Sequence, residues 1–160
     1  MVQAMKRILF SILLAGAAIF MTKETQKPTA ARGIRNNNPL NIRKNSTFEW
    51  NGEIGRDNAG FVIFDTHENG IRAAMKLMLT YRNKYGLYTV AGIINRWSPP
   101  IENDTQSYIN NVSSKLGVDP NSMLSLDAYP QLIEAMIYHE NGSAPFSIAQ
   151  INQGVKAAYA

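Results

Sequence analysis

Glu140 closes an apolar stripe of Ile133, Met136, Ile137 and Glu140, spaced i, i+3, i+4, i+7, with Asn141-Gly142 directly after it. That spacing predicts a helix whose buried face ends in an acid at the point where the helix stops. Burial disfavours the charged form of a carboxyl group, so a Glu placed there can keep its proton near neutral pH. A general acid for glycoside cleavage needs that property. The same spacing also describes a Glu that turns outward at a frayed last turn, and taken alone it favours that plainer reading.

The run Trp97-Ser98-Pro99-Pro100-Ile101-Glu102-Asn103-Asp104-Thr105 supplies a second constellation. An aromatic, a stiff diproline turn and then Glu102, Asp104 and Thr105 suit a sugar ring, whose faces are apolar and whose rim carries hydroxyls. Helix capping explains Asp104 or Thr105 without any ligand, but it leaves Glu102 unexplained, so Glu102 is the second candidate acid. Asn36, Asn37, Asn38 and Asn41 offer the donors and acceptors that an acetamido group requires. Such clusters are also ordinary turn chemistry.

Other chemistries lack their residues. The chain has no cysteine, which removes disulfides, thiolate zinc sites and cysteine nucleophiles. His67-Glu68 does not continue as a zinc-protease motif, because Ile71 holds the place of the second histidine. With two histidines in all, neither a metal nor another cofactor is expected. No Gly-x-Ser-x-Gly elbow and no Gly-rich phosphate loop occurs. His-Glu-Asn-Gly appears twice, at His67–Gly70 and His139–Gly142, once at a helix start and once at a helix end. The two copies are therefore not one repeated unit.

The elements that must position these residues follow from periodicity. Ala31 to Lys44 is polar and turn-rich, and the Asn before Pro39 is pushed out of the helical region, so a loop is expected. Thr47–Trp50 and Phe61–Phe64 are short β-prone runs separated by turn residues, which predicts a small antiparallel hairpin. From Asp65 the period becomes helical. Asp65 with Glu68 has the form of a capping box, Ile71, Met75, Met78 and Tyr81/Tyr85 make the stripe, and Gly86 ends it. Val90 to Trp97 gives a second helix, halted by Pro99-Pro100. Tyr108, Ile109, Val112 and Leu116 give a third, closed by Gly117. Asp127 and Pro130 open a fourth that carries Glu140 and closes at Gly142, and Ile148, Ile151 and Val155 give a short last helix. The fold class is α+β, mostly helical with a small antiparallel β element.

At 160 residues the chain suits one domain with a real core. Sixteen basic residues face 12 acidic ones. Two of the basic residues, Lys6 and Arg7, stand before an apolar run from Ile8 to Met21. The excess elsewhere is small, and no nucleic acid partner is expected. A basic start followed by an apolar stretch of this length reads as a secretory signal or a membrane anchor, marginal for a full span. The expected organisation is a hydrophobic helix over residues 1–22 as signal or anchor, a linker over 23–31 and the domain over 32–160.

The string Arg32-Gly33-Ile34-Arg35-Asn36-Asn37-Asn38-Pro39-Leu40-Asn41-Ile42-Arg43 resembles the opening of a family of small phage proteins. The resemblance continues through Phe61–Thr66, Gly70–Ala73, Gly92–Trp97, Pro99–Thr105, Leu116–Val118 and His139–Gly142. Members of that family are called virion structural proteins or peptidoglycan-degrading enzymes. Ala135–Gly142 is also similar to the catalytic helix of lysozyme-like lytic transglycosylases, which ends Glu-Ser-Gly; here the motif comes late in the chain, whereas in those enzymes it comes early. The resemblance implies a rearranged lysozyme-like domain that cleaves the glycan strands of peptidoglycan, as a lytic transglycosylase or muramidase. Glu140 would be its acid and Glu102 second, with Asn38, Asn41, Trp97, Asp104 and Thr105 on the substrate. The alternative is a non-catalytic, membrane-anchored virion structural protein. Implied partners are peptidoglycan, a membrane through residues 8–21 and other virion proteins, with a place in the virion, the host periplasm or the inner membrane. In an enzyme Glu140 and the Asn36–Asn41 loop are expected to share a groove; in a structural protein they are expected to lie apart.

Overall fold

The computed structural model describes residues 30–44, 47–100 and 104–160. The expected signal or anchor over 1–22, most of the linker and Glu102 lie outside the described residues. The domain is α+β. In chain order it has α1 (Arg32–Arg35), β1 (Glu53–Arg56), β2 (Val62–Phe64), α2 (His67–Tyr85), α3 (Val90–Trp97), α4 (Thr105–Leu116), a 3₁₀ turn (Leu126–Ala128), α5 (Tyr129–Asn141) and α6 (Ile148–Ala157). Among the described residues, no helix is long and apolar enough to cross a membrane.

Helix α5 is the centre of the packing, in contact with α1, α2, α4 and α6. Of the predicted stripe, Ile133, Met136 and Ile137 are fully enclosed and Glu140, at the helix end, is only half-buried; Leu132 and Tyr129 complete the buried face. Ile71, Met75 and Met78 of α2 and Ile93 and Ile94 of α3 join the same core. Each buried aliphatic side chain contributes roughly 1.5–3 kcal/mol by leaving water. Helix α6 lies against α2, where Gly154 makes room: a Cβ there would stand 2.7 Å from Ile71 Cβ.

The helix limits have local causes. The Thr66 hydroxyl accepts the Asn69 amide and caps α2, and Gly86 ends it in the left-handed region. The Asp65–Glu68 capping box expected here does not form, because the N-cap is Thr66, which makes Asn69 rather than Glu68 the third helical residue; Asp65 Oδ1 accepts the Asn69 side-chain amide at 2.8 Å. Thr89 caps α3, Asp104 caps α4, and Ser147 with Gln150 forms a capping box on α6. Asp127 lies in the 3₁₀ turn, and Pro130 sits in the first turn of α5 where a missing N–H costs nothing.

Two expectations need correction. Arg32–Arg35 forms one helical turn where a loop was expected; Arg35 N–H donates to Ala31 O at 3.0 Å. Thr47–Trp50 is not a strand. The strand that pairs with β2 is Glu53–Arg56, with Glu53 opposite Phe64 and Arg56 opposite Val62. A hairpin strand must abut its turn, and the turn is Asp57–Gly60, closed by the Gly60 N–H on Asp57 O at 3.0 Å. Phe48 and Trp50 meet edge to face, 4.9 Å between centroids, outside the ladder.

Asp57 holds that turn together. Its Oδ1 accepts the backbone amides of Ala59 and Phe61, and its Oδ2 accepts Asn36 Nδ2 at 2.9 Å. The Phe61 amide bond is the main reason its carboxyl ionises below the usual Asp range; Asn36, Ala59 and Arg32 lower it further, against some desolvation. A depressed pKa adds stability that is complete above the unfolded-state value and is lost as pH falls through the folded value. Thermal melts of Asp57→Asn are therefore expected to change less than wild type between roughly pH 5 and pH 2. Parallel curves for the two proteins would contradict that assignment.

Candidate active site

The turn from Asn36 to Asn41 is built by its own amides. Asn37 and Asn41 stand at φ of 50° and 53°, left-handed conformations that Asn tolerates better than bulkier residues. Asn37 Nδ2 donates to the carbonyls of Phe64 and Asp65 at 3.0 and 3.1 Å. Asn38 is buried; its Nδ2 donates to Ile42 O and Val62 O, both at 2.9 Å, and its Oδ1 accepts Ile42 N–H at 2.8 Å. Its amide is thus spent on the scaffold. Asn41 points the other way, and its Nδ2 reaches Glu140 Oε2 at 2.9 Å.

Glu140 is half-buried at the last turn of α5. Its second oxygen, Oε1, accepts the Tyr108 hydroxyl at 3.0 Å. Tyr108 comes from α4 and is 97% shielded from solvent, being 3% exposed. Burial pushes its phenol well above the usual range, and the neighbouring Glu140 charge and hydrogen bond add to this. The phenol therefore stays protonated and acts as a donor. His139 stacks on its ring, with centroids 3.8 Å apart. Among the described residues no Arg or Lys forms an ion pair with Glu140; the two ion pairs found are Arg32–Asp57 and Lys44–Glu53. The next residue repeats the link: Asn141 Nδ2 donates to Pro39 O at 2.8 Å and to Ile137 O at 2.9 Å.

Glu140 opens into a groove of about 440 Å³. One wall is Leu40 to Arg43; the opposite wall is Arg96 to Pro99; Trp50 and Phe61 come from the hairpin side, and Leu77 and Tyr81 from α2. Trp97 meets Tyr81 at 6.3 Å and 67°, so packing fixes its ring. Polar groups at the floor with aromatic faces beside them make an arrangement able to hold a sugar and move a proton.

Of the expected site residues, Asn41, Trp97 and Glu140 share this groove, and Asn38 does not line it. Asp104 does not line it either: it caps α4, accepting Ser107 N–H at 3.0 Å and the Ser107 hydroxyl at 2.6 Å, and those bonds lower its pKa. Thr105 is buried and its hydroxyl donates to Ser98 O at 2.6 Å, which ties the groove wall to α4. Tyr108, Trp50, Arg43 and Arg96 belong to the site and were not singled out from the sequence. Tyr108 sat in a core stripe, and its reach to Glu140 crosses between two helices that periodicity treats separately.

No family model matches the chain. It is 46% identical over 142 residues to "Protein P5" of Pseudoalteromonas phage PM2, an alignment that spans 87% of each chain.

Tyr108→Phe keeps the packing and deletes one of the two donors to Glu140. A loss of about 1 kcal/mol is expected, within the range for such a bond, read as a lower urea midpoint at unchanged slope. An unchanged midpoint would mean that the Tyr108–Glu140 bond adds nothing to the fold.

Proposed function

The chain belongs to the family of that phage protein, and from this premise we propose that it is a virion protein that cleaves the glycan strands of its host's peptidoglycan. The observation that carries the reading is the meeting of Glu140, Asn41 and Trp97 in one groove, although they come from three separate parts of the chain. Glu140 would protonate the glycosidic oxygen and then act as base. Among the described residues Glu140 is the one carboxylate lining the groove. The substrate's acetamido group or C6 hydroxyl would then replace the second carboxylate of the usual scheme, unless Glu102 supplies it. Asn41 and Tyr108 would hold the carboxyl in place while Trp97 and Trp50 pack on the sugar faces. In this reading the domain is a rearranged lysozyme-like fold, α5 standing for the helix that ends Glu-Ser-Gly. Residues 8–21 would carry it to an envelope membrane.

A second reading is a non-catalytic virion structural protein. Membership of a phage protein family, taken by itself, fits this better than it fits an enzyme. The use of both Glu140 oxygens in hydrogen bonds also suits a purely structural carboxylate.

A zymogram on purified peptidoglycan, run on virion, envelope and cytoplasmic fractions, separates the two. Lysis is expected in virion or envelope fractions and should fall at least about a hundredfold in Glu140→Gln, the lower end for losing a general acid. Activity retained by a folded Glu140→Gln would move the role to Glu102. The absence of any lysis by folded wild type would leave the structural reading.

A further inference from the structure

The groove does not end at Trp97. A second hollow, lined by Leu77, Tyr81, Arg96 and Pro99 and extended by Tyr85 and Leu87, shares those first four residues with the groove at Glu140. Those four residues form the boundary between the two hollows, and Arg96 lines both. Arg96 is exposed, and its guanidinium lies over two rings, 3.7 Å from the centroid of Tyr85 and 5.2 Å from that of Tyr81. In the groove at Glu140, which Arg96 also lines, Arg43 lies over Phe61 at 4.2 Å and donates to Ala59 O at 3.0 Å. Among the described residues neither guanidinium pairs with an acid. Arginine stacked on aromatic rings keeps its N–H fork free in the plane and has already lost much of its rotamer freedom, which is the arrangement that grips a carboxylate.

Given the glycan reading above, on which this inference rests, the geometry points to Arg96 as the residue that reads a carboxylate on the strand, so that acid-bearing glycans are preferred over neutral ones. A dense polyanion fits less well, because among the described residues only two cations, Arg43 and Arg96, line the groove at Glu140. Carboxylates spaced along an otherwise neutral sugar chain match two separate arginines.

The test is equilibrium binding of the full chain carrying Glu140→Gln, which stops turnover, to two soluble probes at low salt. One is chitohexaose, neutral throughout; the other is peptide-free peptidoglycan strands, which carry a lactyl carboxylate on every second sugar. The strands are expected to bind about tenfold more tightly per site, the lower end for a charge-assisted bond. Arg96→Ala should bring the ratio close to one, Arg96→Lys should keep part of it, and added salt should shrink it. A ratio that survives Arg96→Ala, or strands and chitohexaose bound equally by the parent, would overturn the proposal while leaving the glycan reading in place. Failure to bind either probe would overturn both.

Discussion

Two side-chain amides, one on each partner, clasp the Asn36–Asn41 turn to the end of α5. Asn41 donates to Glu140 and Asn141 donates back to Pro39 O. The residues are about a hundred positions apart in the chain, so the clasp closes most of the domain into one loop. Each bond contributes on the order of 1 kcal/mol, more where the acceptor is charged. Their larger effect is geometric: they set the groove wall from Leu40 to Arg43 and fix where the Glu140 carboxyl stands.

So close an approach requires that side chains be absent elsewhere. A Cβ on Gly33 would stand 2.6 Å from Asn141 Oδ1 and 3.1 Å from Asn41 Oδ1, and a Cβ on Gly70 would overlap the Asn37 carbonyl oxygen. This separates the two His-Glu-Asn-Gly sequences. In the first, the glycine lets α2 touch the turn; in the second, Gly142 takes φ of 69° and ends α5. The repeated letters serve different physical needs.

Periodicity made the helices legible. Stripes of Ile, Met and Val located α2 through α6, and Gly86, Gly117 and Gly142 stopped three of them within a residue, because glycine is the cheap occupant of a left-handed cap. The hairpin was less legible. Glu53–Arg56 carries little β-prone character and is largely exposed, so its pairing is dictated by the Asp57–Gly60 turn rather than by its own residues. In the site, Glu140 and Asn41 could be picked out because polar residues stood where a buried stripe or a structured turn was expected. Asn38 was misleading for the same reason: its amide serves the backbone of Ile42 and Val62, and turn chemistry and ligand chemistry use the same atoms. Tyr108 carried no local sign, since a core tyrosine and a tyrosine donating to a carboxyl have the same spacing.

If the Glu140 groove holds a glycan strand, the chain provides its own reporters. It has two tryptophans, Trp50 and Trp97, and both line that groove. The direct measurement is a titration of the two indole N–H resonances with soluble, peptide-free glycan strands. Both resonances should shift together and saturate at one common midpoint. Two indoles that stay in place at strand concentrations far above any working affinity would contradict the account.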